Sequence, residues 1–352
     1  MGGLWNKMKE KILIGMSGGL DSTYSAYLCR EAGYEVTGAV LRMSDETDIT
    51  AAQTAAEELG IPLHVVDMRQ PFETNVMQYF ADEYACGRTP NPCVQCNRHV
   101  KVAGLVDLAR ALGIPSVVTG HYARITFDPA RRRYFVQAAG DLRKDQSYVL
   151  WALTQEQLSM LKTPLSEIGK EEIRAHASAL GLRVAVSKES QDICFLPDGD
   201  YVSFVTARRG EFPPGDFVDE RGAVVGRHKG IIRYTVGQRK GHGIALGHPV
   251  FVTSIDACAN TVHLAPSGME YEKSLTLSAL NFQRIGPSEL CEGMRVFVKI
   301  RYAAARAPAT VSKIGADSLT LTLDTPQRAV TPGQSGVCYD GEGGILFGGT
   351  IL

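Results

Sequence analysis

The feature that most constrains the fold lies near the start of the chain. The apolar run Ile12-Leu13-Ile14-Gly15-Met16 is followed at once by Ser17-Gly18-Gly19-Leu20-Asp21-Ser22 and then by an amphipathic stretch. A strand that turns through glycines into a helix aims backbone N–H groups and the positive end of a helix dipole at one point, where a phosphate binds. Gly18 and Gly19 let an anion approach the backbone closely. Ser17 and Ser22 add hydroxyl donors, and Ser22 is placed to cap the helix. A bare Gly-Gly turn would read as an ordinary tight turn; the full S-G-G-x-D-S after a strand is far more specific. Neither G-K-[ST] nor G-x-G-x-x-G is present, which excludes the common P-loop and the dinucleotide fingerprint.

The same alternation continues. Lys11–Gly15, residues 36–41, Leu63–Asp67 and residues 116–119 read as strands. Residues 23–32, 49–59, 72–84 and 98–112 read as helices, several with glycine just past the end. That pattern predicts an α/β domain with a parallel sheet covered on both faces, binding its ligand at the carboxyl ends of the strands. Residues 86–96, rich in Gly, Pro and Asn, read as irregular, and residues 187–198 as a polar loop. Residues 131–133, three arginines, read as a solvated hairpin tip. From about Tyr201 glycine and proline become frequent. Alternating segments at residues 295–302 and 318–324 predict antiparallel strands, so the last part reads as a small β-barrel or sandwich.

With 352 residues, 44% of them hydrophobic, the chain has ample material for two or three domains. No apolar run reaches the ~20 residues of a membrane helix and no export signal is legible. Eight cysteines are too dilute for a disulfide scaffold, so reduced thiols and a cytoplasmic location are expected. The net charge of −1 does not mark a nucleic-acid binder. Its distribution is more telling. Residues 221–255 and 293–316 contain no acid, but carry Arg227, Lys229, Arg233, Arg239 and Lys240, then Arg295, Lys299, Arg301, Arg306 and Lys313. Such stretches suit a polyanion, or are simply solvated faces.

Cys93 and Cys96 form a C-x-x-C. Three readings compete: metal ligation with Cys86 and His99, a redox pair, or one nucleophile beside an incidental thiol. Cys29, Cys258, Cys291 and Cys338 read as packing residues.

The ordered motifs carry a family resemblance. The hexapeptide resembles the signature of PP-loop ATP pyrophosphatases. Thr89-Pro90-Asn91-Pro92-Cys93-Val94-Gln95-Cys96-Asn97 resembles the catalytic loop of the tRNA-specific 2-thiouridylases. So do Thr119-Gly120-His121-Tyr122-Ala123-Arg124, Lys144-Asp145-Gln146-Ser147-Tyr148, Ser190-Gln191-Asp192-Ile193-Cys194-Phe195, Lys229-Gly230 with residues 234–241, Arg301-Tyr302 and residues 329–334. The resemblance runs from about residue 11 to the end.

It implies a PP-loop (adenine nucleotide alpha hydrolase-like) catalytic domain over residues 1–202. A small central tRNA-binding domain would follow over 203–268, and a C-terminal antiparallel β-barrel over 269–352. Gly15, Met16, Ser17, Gly18, Gly19, Leu20, Asp21, Ser22, Leu41 and Gly120 would hold ATP, brought with Mg²⁺. ATP would place AMP on the 2-carbonyl oxygen of a wobble uridine, releasing pyrophosphate. Cys96 would be the nucleophile and Cys194 the carrier of a persulfide. Asn91, Pro92 and Cys93 would lie at the target base; His121, Lys144, Asp145, Gln146, Arg301, Tyr302 and Gln334 would touch tRNA. The implied partners are wobble-uridine tRNAs of the Lys, Glu and Gln type and a persulfide donor, a cysteine desulfurase or sulfur-relay protein. The chain would act as a monomer, away from membranes. A thiolate at Cys96 would be favoured by Arg98, Lys101 or a helix start at Asn97. One departure stands out: many relatives carry Asp where this chain has Cys93. That C-x-x-C keeps zinc or an iron–sulfur cluster in play. The alternatives are another PP-loop adenylating enzyme and a metal-binding RNA-binding module.

Overall fold

The computed structural model describes residues 10–186, 193–196 and 198–352. The chain divides into two compact units, residues 1–73 with 96–190 and residues 74–95 with 191–352.

The first unit is built on a parallel five-stranded sheet in the order β3-β2-β1-β4-β7, with β1 Lys11–Gly15, β2 Glu35–Arg42, β3 Leu63–Asp67, β4 Ser116–Val118 and β7 Leu161–Lys162. Strand order reverses at β1, whose neighbours are β2 on one side and β4 on the other. Such a switch point leaves a crevice beyond the strand ends. β1 is buried through Ile12, Leu13 and Ile14, as a central parallel strand must be. Helices α1 (Leu20–Glu31) and α2 (Thr50–Leu59) supply Ala26, Cys29, Ala52, Ala55 and Leu59 to one core. Gly60, at φ 61°, closes α2 in the left-handed conformation that glycine adopts without strain. A hairpin of β5 (Ala123–Asp128) and β6 (Arg133–Ala138) turns at the three arginines.

Residues 74–95 fold with the later unit. The predicted helix at 72–84 is three pieces: α3 Arg69–Phe72, a π-helical turn Glu73–Gln78, and α4 Tyr79–Ala85. α4 packs on a helix the sequence reading did not place, Tyr201–Arg209, with Tyr84 stacked on Tyr201 and Phe80 edge-on to Phe204. The central sheet runs β10-β11-β8-β9, made of β8 Gly215–Val218, β9 Val224–His228, β10 Val250–Asp256 and β11 Thr261–Pro266. The last segment is a closed barrel, β12-β15-β14-β13-β16-β17, running from Tyr271–Phe282 (β12) through Arg295–Lys299 (β13), Ala307–Ile314 (β14), Ser318–Arg328 (β15) and Ser335–Tyr339 (β16) to Ile345–Ile351 (β17). Inward residues such as Val298, Leu321 and Phe347 fill it. Closure removes the exposed edges an open sheet would present.

Two expectations are corrected. Residues 86–96 are not wholly irregular: Pro92–Cys96 is helical (α5), with proline at the first helical position, where its missing N–H costs nothing. The π-helical turn Asn97–Lys101 and helix α6, Val102–Ala111, continue it without a break. Asn97 is therefore not a helix start, and no helix N-terminus faces Cys96 from there. Cys258 and Cys291 are exposed, whereas Cys29 and Cys338 are buried packing residues. Burial pushes the Cys29 thiol up to about 11 despite Lys162 nearby.

Candidate nucleotide pocket and catalytic cysteines

In the first unit a cavity of about 370 Å³ opens where β1, β2 and β4 end. Gly15, Met16, Ser17, Asp21, Ser22, Leu41 and Gly120 all line it. Gly18 lies behind, at φ 75°, where an added Cβ would stand 2.5 Å from the Ala51 carbonyl carbon. Gly19 is the N-cap of α1 without a side-chain cap, and Leu20 is buried in the core. Ser22 is therefore not the cap. Its hydroxyl sits inside the first turn, donating to Gly19 O at 3.0 Å and accepting from the Ser17 N–H at 3.2 Å, which folds the loop over itself. A second cavity of about 430 Å³, lined by Leu28, Cys29, Tyr34 and Lys162 among others, contains none of the predicted site residues.

Asp21 is held from two distant elements. Tyr122 Oη donates to its Oδ1 at 2.6 Å and Lys170 Nζ to its Oδ2 at 3.0 Å. Lys170 opens helix α7, Lys170–Ala179, and its ammonium also lies 5.8 Å from the centre of the Tyr122 ring. The sequence reading missed Lys170 as a site residue, along with Thr47 and Asp48, which line the cavity; Lys101, expected only as a cation near Cys96, lines it too. Gly120 is needed where it stands: a Cβ there would meet the Asp21 backbone carbon at 2.9 Å.

His121 lines the same cavity and shares a 2.8 Å hydrogen bond between Nδ1 and Thr119 Oγ1. Burial, with a smaller push from Lys101, lowers its pKa to about 3, so the ring is neutral. In the Lys144–Gln146 motif only Lys144 is exposed. Asp145 is buried and accepts hydrogen bonds from the N–H groups of Ala139 and Ser147 and from the Ser147 hydroxyl. An internally engaged carboxylate shapes the segment and does not present itself to a polyanion. Gln146 lines the cavity while its Oε1 accepts from the Tyr122 N–H at 3.0 Å.

Cys96 is 5% exposed and ends α5. Lys101, five positions on along the same helical run, is in the wall of the nucleotide cavity. At ~1.5 Å of rise per residue, that run separates the Cys96 and Lys101 backbone positions by roughly 7 Å along the axis. Cys93 is exposed, and its N–H is held by Asn91 Oδ1 at 3.2 Å, which caps the start of α5. Among the described residues no group of three or more His, Cys, Asp or Glu side chains is placed to hold a metal ion.

In the second unit Cys194 is exposed while its neighbours are anchored. Phe195 packs edge-on to Phe80 and against Phe204, and Leu196 is in the core. The thiol is thus presented outward from a pinned segment. Ser190, Gln191 and Asp192 of the same motif lie outside the described residues.

On the barrel, Tyr302 is 45% exposed, and Arg301 donates to Ala329 O and to Thr331 Oγ1. Gln334 Nε2 donates to Thr89 O at 2.8 Å and Pro90 O at 3.2 Å. The acid-free basic stretches are less free in space than in sequence. Arg227 pairs with Asp216 of the neighbouring strand β8, and Arg295 with Asp324 of β15, one strand beyond its neighbour β14. His228 is buried, accepts from the Gly230 N–H and donates from Nε2 to Asn260 O; burial lowers its pKa.

These features define a nucleotide-binding α/β domain of the HUP class joined to a β-sheet domain and a β-barrel. Three family models match in that order: a tRNA methyl transferase HUP domain over residues 10–198, a tRNA methyl transferase PRC-barrel domain over 203–266 and an aminomethyltransferase beta-barrel domain over 272–352. A tRNA-specific 2-thiouridylase of Acetivibrio thermocellus is 45% identical, the alignment covering 98% of this chain and 99% of that one. Relatives of the same name from Clostridioides difficile and Heliobacterium modesticaldum are 40% and 43% identical, over 98% of this chain and 98% and 93% of theirs. The chain belongs to the tRNA-specific 2-thiouridylase family.

Proposed function

We propose that this protein makes 2-thiouridine at the wobble position of tRNA, consuming ATP. The observation that carries the reading is the helical run from Cys96 to Lys101. It ties a protected thiol to the wall of a phosphate-loop cavity, so a base activated there lies within reach of that thiol.

The chemistry follows from what a uracil carbonyl lacks. Its oxygen is a poor leaving group. Attack of that oxygen on the α-phosphorus of ATP expels pyrophosphate and leaves AMP on the base, which departs readily. The backbone N–H groups around Ser17 to Ser22 and the start of α1 receive the phosphates. Mg²⁺ would come with ATP. It is commonly held by one or two carboxylates plus phosphates, and Asp48 in the cavity wall suits that role, while Asp21 is already engaged by Tyr122 and Lys170. Bound there it would offset the charge on the departing pyrophosphate.

Sulfur arrives as a persulfide on Cys194, whose outward presentation suits reception from a donor protein of the cysteine desulfurase or sulfur-relay type. The terminal persulfide sulfur attacks C2 and AMP leaves. The Cys96 thiolate then attacks Cys194 Sγ, releasing the thiolated base and leaving a Cys96–Cys194 disulfide. A dithiol reductant reopens it. Low exposure at Cys96 protects that thiol between turnovers, and Cys93 is not needed for the electron balance. The protein acts as a monomer on one tRNA, of the Lys, Glu or Gln type, in the cytoplasm. His121 and Gln146 line the nucleotide end of the site, and Lys144, Arg301 and Tyr302 are exposed or near-surface contacts for RNA.

The test is nucleoside mass spectrometry on unmodified tRNA given purified protein, Mg-ATP and a persulfide donor. Wild type should form 2-thiouridine; Cys96→Ala should not, while still releasing pyrophosphate. Pyrophosphate release with no thiolated nucleoside from wild type would refute the substrate assignment. An absence of both would refute the nucleotide chemistry.

A further inference from the structure

Arg131 and Arg132 are exposed at the tip of the β5–β6 hairpin, as the sequence predicts, but the hairpin is built more firmly than a solvated tip requires. Asp128, buried at the end of β5, accepts from the Ala130 and Arg131 N–H groups, both at 3.1 Å, and pairs with the Arg131 guanidinium at 3.2 Å. Behind the tip, Gln155 takes both main-chain groups of Tyr134: its Oε1 accepts from the N–H and its Nε2 donates to the carbonyl, each at 2.8 Å. The turn is fixed from inside and the strand from behind.

Arg132 stands at φ 54°. That left-handed conformation is strained for a residue with a Cβ, and glycine or asparagine takes it more readily. The chain keeps an arginine there, and Arg132 makes no ion pair among the described residues. Acids along the arm are already engaged: Asp128 by Arg131, Asp141 by Arg143 and Glu167 by Arg124. In the second residue pair from the tip, Phe127 is 45% exposed and its ring lies 4.8 Å from that of Tyr134. The base of the hairpin adjoins the segment that carries Lys144. There the Gln146 N–H donates to Tyr122 O at 2.8 Å, and the Ala139 N–H to Asp145 Oδ1 at 3.2 Å. At ~3.4 Å per residue the six-residue strand sets the tip roughly 17 Å from that base.

We propose that the β5–β6 hairpin is an RNA-contacting arm: Arg132 binds a tRNA phosphate and the Phe127–Tyr134 pair takes the adjoining nucleotide, extending the contact at Lys144. This deepens the tRNA-thiolating reading above and rests on it. A guanidinium whose planar donors the protein leaves unpaired fits a phosphate. A turn already fixed by Asp128 and Gln155 loses little freedom when RNA binds. An exposed ring close to a cation is the usual platform for an unstacked base. Protein interfaces instead centre on apolar patches depleted of charge, and here the cation holds the tip.

The informative variant is Arg132→Gly, because glycine takes the left-handed conformation without strain. Its Tm should equal or exceed that of wild type although the guanidinium is gone. The Kd for unmodified tRNA is measured on the full chain across a salt series. The slope of log Kd against log salt should fall by ~0.7–0.9, one phosphate contact, and binding should weaken about fivefold at ~0.15 M salt. Arg132→Lys keeps the charge and should keep the slope. Phe127→Ala should weaken binding with the slope unchanged. An unchanged slope in Arg132→Gly, with Tm held, would overturn the arm. Normal tRNA binding with slower sulfur loading from a persulfide donor protein would overturn it as well, and mark the hairpin as a protein-docking face. Nucleoside mass spectrometry on the same preparations keeps the two readings apart. Wild type that binds tRNA but forms no 2-thiouridine ends the thiolation reading, and the salt slope still decides the arm.

Discussion

Replacing Lys170 by methionine tests the least anticipated part of the nucleotide site. Its ammonium lies 3.0 Å from Asp21 Oδ2, with side-chain exposures of 14% and 30% for the lysine and the aspartate. A fully exposed pair of this kind is worth ~0.2–1 kcal/mol, and breaking a fully buried one costs ~3–5 kcal/mol. The intermediate burial here sets the loss at about 2 kcal/mol. Methionine preserves most of the stem's packing, so the loss falls on the charge. Asp21 would then face the incoming polyphosphate with only the Tyr122 hydroxyl to hold it. The expected result is a fall of about thirtyfold in kcat/KM for ATP, since ~1.4 kcal/mol is tenfold. The assay is pyrophosphate release against ATP concentration at saturating tRNA. Lys170→Arg should recover most of the loss, and Tyr122→Phe combined with Lys170→Met should cost less than the sum, because both act through one carboxylate. A Lys170→Met enzyme within threefold of wild type would refute the argument that the ion pair prepares the phosphate site.

Three further outcomes follow from the geometry. His121 is neutral when folded, with its pKa lowered from 6.5 to about 3, so below 6.5 the unfolded chain binds a proton the folded one refuses. Stability from this group is therefore complete above pH 6.5 and falls as pH drops toward 3, by at most about 2 kcal/mol at pH 5; His121→Gln should flatten the drop in urea midpoint between pH 7.5 and 5, and an unchanged slope would count against it. Gly18→Ala places a Cβ 2.5 Å from the Ala51 backbone at φ 75°; overpacking and left-handed strain together cost roughly 3 kcal/mol, a fall of about 6–12 °C in Tm by calorimetry, and a change under 2 °C would show the loop yields freely. Arg295 is held on both carboxylate oxygens of Asp324 at 2.8 and 2.6 Å; Arg295→Ala should change the slope of log Kd against log salt for tRNA by less than half of the ~0.7–0.9 expected per phosphate contact, while exposed Lys144→Ala should remove about one full contact.

Periodicity and turn chemistry made four of the five parallel strands, most of their helices and an antiparallel C-terminal region legible, because those signals are local; that this region closes as a barrel and not a sandwich came only from the family resemblance. What was lost is non-local or masked by composition. The basic stretches looked acid-free because Asp216 and Asp324, which neutralise Arg227 and Arg295, come from other strands of the same sheet or barrel. Lys170 and Tyr122 reach Asp21 across 149 and 101 residues; Tyr122 sits in a motif that was read for its neighbours Gly120 and His121, and no local signal marks Lys170. The helix at Pro92–Cys96 was hidden by the glycines and prolines around it. Yet Asn91-Pro92, a capping residue before proline at the first helical position, was a readable start signal. The two π-helical turns have no sequence signature at all. Each is one extra residue in a helix, decided by packing.

One of those turns begins beside the nucleophile, and its first residue carries the last prediction. Asn97 is 2% exposed; its Nδ2 donates to Val149 O at 3.2 Å, but its Oδ1 has no hydrogen-bond partner among the described residues. A buried orphan acceptor costs ~1–3 kcal/mol. Asn97→Leu removes that cost, forfeits a hydrogen bond of ~1 kcal/mol and strands the Val149 carbonyl at ~1–3 kcal/mol, so the net loss is only about 1 kcal/mol. If the asparagine serves the fold, leucine should cost more than 2 kcal/mol. If it is an acceptor kept open for the reacting state next to Cys96, Tm should stay within about 3 °C while kcat for thiolation falls at least tenfold. Calorimetry and single-turnover thiolation on the same preparation separate these outcomes. A variant that both melts and turns over like wild type would leave the orphan without a purpose in catalysis and return it to the cost of packing a π-helical turn.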